Sequence, residues 1–381
     1  MQKPVNHKAI NWVDGMKLSS AQFVQTDIYH QERVRDAIAT GLNSYNFGVL
    51  PPFQGHEKGA EITLLLKSTN QIEASVFYCN AITADGGRID IAANSNGMTA
   101  QHSEYISTHD LKEGSYYVIL KVSSLERIPV GQPDPSESPI RYPELDKKYG
   151  FEVVSEMELQ HYDSVSFFIP VGQFTWHSGV IELNKQYIIP ATSLNSSMEL
   201  KRVHLDWYNR LNDFQISAFK IMDKTSQTDK ITDIGINVRA ISEKALYYLA
   251  EKMYTYRTLL AVQPPIETVR YFSDLTHLFF TSIKLIPAVQ REELLKYFYE
   301  WKDVTPSNFE ERISELIEIQ YDHLNIHQSV EHIYNFLDVL VPLWNKLSTL
   351  EYIGQRKENI VVAEQKVVQE VQKKRTWSLL D

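Results

Sequence analysis

Glycine and proline are so unevenly placed along this 381-residue chain that its two halves cannot share one architecture. Thirteen of the 15 glycines lie at or before Gly179, and ten of the 15 prolines at or before Pro190. Both residues punctuate tight connections, so the first half reads as short strands joined by turns. Beyond Pro190 only Gly235 and Gly354 remain, which suits long helices. The expected class is α+β: residues 1–190 an antiparallel β-sandwich, 191–350 an α-helical bundle, and 351–381 a short C-terminal tail.

Period supports the division. In Gln71 to Ile82 one face carries Ile72, Ala74, Val76, Tyr78 and Asn80, and the other Glu73, Ser75, Phe77 and Cys79. Ala84-Asp85-Gly86-Gly87 then signals a hairpin, because glycine accepts the positive φ of a tight turn. Arg88 to Ala92 is the return strand. Further strands are expected at Glu61–Lys67, Tyr116–Ser123, Glu152–Leu159, Ser164–Pro170 and Gln186–Pro190, the pattern of a sandwich or barrel. Pro129 to Pro143, with five prolines in fifteen residues, reads as a surface loop.

The second half changes period. Leu200, Val203, Trp207, Leu211, Phe214, Ala218 and Ile221 recur at steps of three and four, one stripe of a helix. Ile241, Ala245, Leu249, Met253, Tyr256 and Leu260 form a second stripe, which Pro264-Pro265 ends. Ile266, Val269, Phe272, Leu275, Phe279 and Ile283 form a third. Later helices are expected at Glu292–Trp301, Asn308–Gln320 and Ser329–Leu347. A polar helix-like segment at about residues 20–42 precedes the strands and is expected to pack against the bundle. The tail from Gln355 to Arg375 fits an amphipathic helix or a strand equally.

Composition narrows the function. A formal charge of −10 argues against nucleic acid as a partner, since phosphate binding needs excess lysine and arginine. No apolar run reaches the roughly 18–20 residues that cross a bilayer, and the first residues lack the apolar core of a signal peptide. The lone Cys79 points to a reducing compartment, so a cytoplasmic protein without direct membrane insertion is expected. No phosphate-cradling loop, dinucleotide fingerprint, nucleophile elbow or HExxH occurs. Neither an enzyme nor a cofactor is therefore expected. The best metal candidates are His323, His327 and His332, with Asp322 and Glu331 beside them. A spacing of four can set two imidazoles on one helical face. However, Asn325 to Ser329 reads as a loop that breaks this register, so capping or surface histidines are the preferred reading. Tyr297-Phe298-Tyr299-Glu300-Trp301 fits either a partner anchor or a buried helix.

The N-terminal segment is the most specific feature. Asn11 to Gln25 runs NWVDGMKLSSAQFVQ. It resembles the opening of the TssK family of type VI secretion baseplate subunits, close to W-x-E/D-G-M-x-L-x-P-x-H-F-Q-Q. Trp12, Asp14, Gly15, Met16, Leu18, Phe23 and Gln25 match. Ser20 replaces the usual Pro, Gln22 the usual His, and Val24 one Gln. Asn46 to Leu50, Asn80 to Ile89, Arg141-Tyr142 and Ile188 to Ala191 resemble later family elements in the same order.

The resemblance implies a phage receptor-binding-protein-like shoulder, a helical neck, and a homotrimeric adaptor that attaches to wedge subunits TssF and TssG. Family members continue into a C-terminal head that docks on the membrane complex. With only residues 351–381 after the neck, the resemblance implies a form without that head, which leaves the membrane-side partner open. The extended arm carrying Trp12, Met16, Leu18 and Phe23 is expected to lock shoulder to neck within the trimer, with simple core packing as the competing reading. Two other readings stay open: a phage-like tail adaptor, and a carbohydrate-binding or hydrolytic β-sandwich.

Overall fold

The computed structural model describes residues 5–68, 70–92, 100–160, 167–227, 231–302 and 305–356. Most of the tail, 357–381, lies outside these residues, and so does its expected helix or strand. After one N-terminal helix come two antiparallel sheets and then a run of helices, the expected α+β class. The chain divides into two compact units. The first comprises Met1–His204, Leu260–Glu267 and Tyr321–Gln328; the second comprises Leu205–Leu259, Thr268–Gln320 and the chain from Ser329.

In the first unit, the central strand β3 (Gln71–Ile82) pairs with β1 (Gly48–Val49), β2 (Ala60–Ser68), β4 (Arg88–Ile91) and β5 (His102–Ser107). The second sheet runs in the order β7 (Glu144–Ser155), β6 (Gly114–Val130), β8 (Phe167–His177), β9 (Val180–Leu183). The sheets share one core. Ile72, Ala74 and Val76 of β3, Ile89 and Ile91 of β4, Val118 and Leu120 of β6, and Ile169 and Phe174 of β8 are all buried there.

Strand β3 departs from strict alternation. Glu61 pairs with Tyr78 but Ile62 pairs with Val76, so Phe77 is an extra residue in the ladder. Such a bulge reverses which residues face inward. Cys79 and Ala81 therefore join the core that Ile72, Ala74 and Val76 line, although a simple period of two puts Cys79 on the opposite face. A second shift lets β8 accommodate Pro170, since Val118 pairs with Gly172 and Ile119 with Pro170.

Other expectations are corrected. Residues 186–190 form no strand; the strand there is β9, ending at Leu183. Pro190 instead accepts a hydrogen bond from Val49 N at 2.7 Å. The strand expected over Glu152–Leu159 gives way at Glu156 to the short helix α2 (Glu156–Gln160), whose entry Glu158 caps by accepting from Ser155 N at 3.0 Å. Helix α1 (Ser20–Ala39), expected from sequence to dock on the bundle, makes contacts with the sandwich of its own unit. Arg127 donates to Gln31 at 3.1 Å, and the Arg35 guanidinium lies 5.8 Å over the Phe167 ring.

The helices are α3 (Met198–Ser226), α4 (Asp233–Thr258), α5 (Pro265–Lys284), α6 (Ala288–Lys302), α7 (Pro306–Ile317) and α8 (Ile326–Thr349). Their expected stripes are largely buried. In the second unit Phe214, Phe279 and Trp344 meet with centroids 5.5–5.8 Å apart, and the Trp344 indole donates to Ser242 at 2.9 Å. Tyr297, Phe298 and Trp301 are buried, so the aromatic segment of α6 is core and not an exposed anchor. Only Tyr299 of that segment faces out.

Gly48 has φ +106°, and a Cβ there would lie 2.0 Å from the Pro190 carbonyl oxygen. Gly48→Ala therefore combines left-handed strain with a backbone collision and should cost about 3 kcal/mol or more. Gly41→Ala, whose nearest atom is 3.7 Å away, should cost less than about 1 kcal/mol. Urea denaturation of the two variants checks the contrast.

Candidate assembly surface

The arm and the start of α1 form a hook that is built from local chemistry. Val13 to Met16 is a turn closed by Met16 N donating to Val13 O at 3.2 Å, with Gly15 at φ +77°. Glycine is needed there because side chains rarely adopt that backbone. Ser19 then begins the helix, and Gln22 reaches back to accept from Ser19 N at 2.6 Å. This is one half of a capping box, and the residue that departs from the family pattern supplies it. The arm is pinned further along the helix. Asn6 N and His7 N both donate to Glu32 Oε2 at 2.9 Å, and the His7 ring lies 3.0 Å from Glu32 Oε1. Burial works against the Glu32 charge, but the bonds from His7 and Asn6 outweigh it and hold the carboxyl below its usual value.

The outer side of this hook is apolar and uncovered. Trp12 and Phe23 face each other with centroids 6.1 Å apart, yet they are 48% and 56% exposed. Val13, Leu18 and Val24, close by in sequence, are exposed as well. Scattered exposed apolar residues are ordinary; here several lie in one short segment that a turn, a cap and a carboxylate clamp position. Of the motif residues, Asp14, Gly15 and Gln25 are also exposed and Met16 is half-buried. Gln25 makes a long 3.5 Å bond to the Lys8 carbonyl. Core packing is thus not the role of this arm within its own unit.

The inner side of α1 approaches the β3–β4 hairpin closely. A Cβ on Gly86 would lie 2.7 Å from the Arg35 carbonyl oxygen and 3.2 Å from Ala39 Cβ. Beside this contact is a cavity of about 360 Å³ lined by Ile28, Val34, Ile38, Arg88, Lys147 and Phe167 among others. Its cations are engaged: Lys147 holds Asp90 at 2.7 Å, and Arg88 donates to the Ala81 carbonyl at 2.7 Å.

The histidines chosen as metal candidates have other surroundings. His323 is buried, not at a surface or a cap. Its Nε2 lies 2.9 Å from the Phe47 carbonyl oxygen and its Nδ1 2.7 Å from the Tyr321 hydroxyl. A carbonyl only accepts, so Nε2 carries the proton and Nδ1 accepts from Tyr321. His327 lies in the first turn of α8, which starts at Ile326 and not at Ser329. The segment before it is ordered by Asp322, which accepts from Leu324 N at 2.9 Å. His332 sits 3.7 Å from Glu315. Among the described residues no three His, Cys, Asp or Glu side chains come together as a metal site. Sequence reasoning did not single out His323 as a core element, although its neighbour Tyr321 supplies the hydroxyl that a buried imidazole needs.

No family model and no curated protein matches the sequence. Solved structures do. The crystal structure of TssK superposes with a TM-score of 0.50 at 14% identity, over 88% of this chain and 70% of that one. The chain has the TssK fold. A chain of the baseplate complex from the type VI secretion system superposes with a TM-score of 0.51 at 13% identity, over 89% of this chain and 99% of that one. The TssK likeness thus spans both the sheets and the helices. Among the described residues no helix is long and apolar enough to cross a membrane.

Burial drives the His323 pKa down from 6.5 to about 4, against the smaller opposing pull of the Phe47 bond. The unfolded chain therefore binds a proton that the folded chain refuses. Stability is full above pH 6.5 and falls as pH drops toward 4, by about 3 kcal/mol. Urea midpoints of the native protein and His323→Gln between pH 7.5 and 4.5 check this; the variant should lose that part of the slope.

Proposed function

We propose that this protein is a non-catalytic structural subunit of a type VI secretion baseplate. In this reading it acts as a homotrimeric adaptor that joins wedge subunits of the TssF and TssG kind to the membrane-side assembly. The observation that carries the reading is an uncovered apolar arm, held ready by its own clamp, on a chain with the TssK fold. Large exposed aromatic side chains next to an ordered backbone suit binding to another polypeptide, because their ordering cost is already met before contact. Trp12, Leu18 and Phe23 are the residues assigned to contacts between protomers, with Met16 bracing them from the half-buried side. The assembly works on the cytoplasmic side of the membrane in this reading.

Trp12→Glu tests the assignment. Trp12 is 48% exposed, so the substitution should leave the unfolding midpoint nearly unchanged while the mass of the assembly by light scattering falls threefold. An unchanged mass overturns the role of the arm, and a native protein without threefold multiplicity overturns the trimer. Adding a purified TssF–TssG wedge to the native protein should produce a larger complex; failure to co-elute overturns the adaptor role.

A further inference from the structure

Helix α4 carries apolar residues on two opposite sides, and among the described residues only one of these sides is buried. The inner stripe of Ile234, Val238, Ile241, Ala245, Leu249 and Tyr256 is buried. The outer side carries Ile236, Ala240, Glu243, Tyr247, Ala250 and Tyr254, every one exposed. Tyr247 is 70% and Tyr254 65% exposed. These positions alternate in steps of four and three, the spacing that a seam between two helices uses. A seam of that period fits another helix.

The residues also say which helix fits. Reversed against itself, the seam puts large beside small: Tyr247 seats on Ala250 of the partner subunit. In the same alignment Tyr254 comes opposite Glu243 of the partner subunit, where its hydroxyl can donate to the carboxylate. Lys244 and Glu251 flank the seam on one edge, and reversal brings Lys244 toward Glu251 of the partner subunit, twice by symmetry. Glu251 pairs with its neighbour Lys252 at 2.7 Å, an exposed pair of little weight. A parallel alignment would stack Glu243 on its own copy and set Arg239 against Lys244. Like charges across a seam reject that register.

We propose that α4 pairs with α4 of a second copy of this chain as an antiparallel, two-fold helix seam. This contact is separate from the arm and does not depend on the baseplate reading. Because it is isologous, both copies present the same patch and the contact closes on itself.

Disulfide trapping tests the geometry. The native chain has one cysteine, Cys79, which is fully buried with its thiol pushed up to about 12, so it does not compete for mild oxidation. Tyr247→Cys and Ala250→Cys are exposed positions, and circular dichroism should show both variants folded. Mixed, re-equilibrated and oxidised, they should give a linked dimer containing one of each, at several times the yield of either variant alone. Linking of either variant alone at the yield of the mixture would reveal a parallel seam, and no linking in any sample would reveal no seam. Either result overturns the proposal. In parallel, Ala250→Glu should halve the assembly mass while Trp12→Glu reduces it threefold, so the two contacts fail independently.

Discussion

At least five hydrogen bonds converge on the short backbone segment from Phe47 to Pro51, and they tie the first unit together. Phe47 O accepts from His323 at 2.9 Å, and Val49 N donates to Pro190 O at 2.7 Å. Thr192 N donates to Val49 O at 2.9 Å, and Leu50 N to Asn80 O at 2.8 Å. The Asn80 side chain closes the set by donating to Pro51 O at 2.6 Å. Strand β3, the end of the sandwich segment, and the excursion at Tyr321–Gln328 are thus tied to one strip of main chain. Buried backbone groups must be paired, and an orphaned one costs about 1–3 kcal/mol. Gly48 exists in this strip because no side chain fits where Pro190 crosses it.

Much of this was legible in the residues. The glycine and proline asymmetry separates sheets from helices, and the apolar stripes of α3, α4, α5 and α8 coincide with buried faces. What escaped has physical reasons. Local period cannot show a bulge, so the inward turn of Cys79 after Phe77 was hidden. Strand β5 was missed because its residues alternate only between half-buried and exposed. Ile188-Ile189-Pro190 looks like a strand because it is apolar. Ile188 is buried, but the segment bonds through single backbone groups and not a ladder. The start of α8 was placed three residues late because Asn325 reads as a loop residue, whereas here it sits at the entry to the helix.

The candidate surface was legible as a motif but not as a mechanism. Trp12, Leu18 and Phe23 stand out in sequence, and their exposure could not be read there. Gln22 looked like a mere departure from the family pattern until its bond to Ser19 N gave it a function. The histidines show the opposite error. Their clustering in sequence suggested shared chemistry, while in the fold His323 is an uncharged structural bridge and His332 neighbours a carboxylate.

The hairpin at Gly86 has one more consequence. Tips of β-hairpins are ordinarily where chains gain length, because nothing lies beyond them. This one is roofed by α1, with the Arg35 carbonyl oxygen resting where a side chain would begin. A side chain at Gly86 would have to push α1 away, so the helix that carries the arm and the tip of this hairpin can change only together.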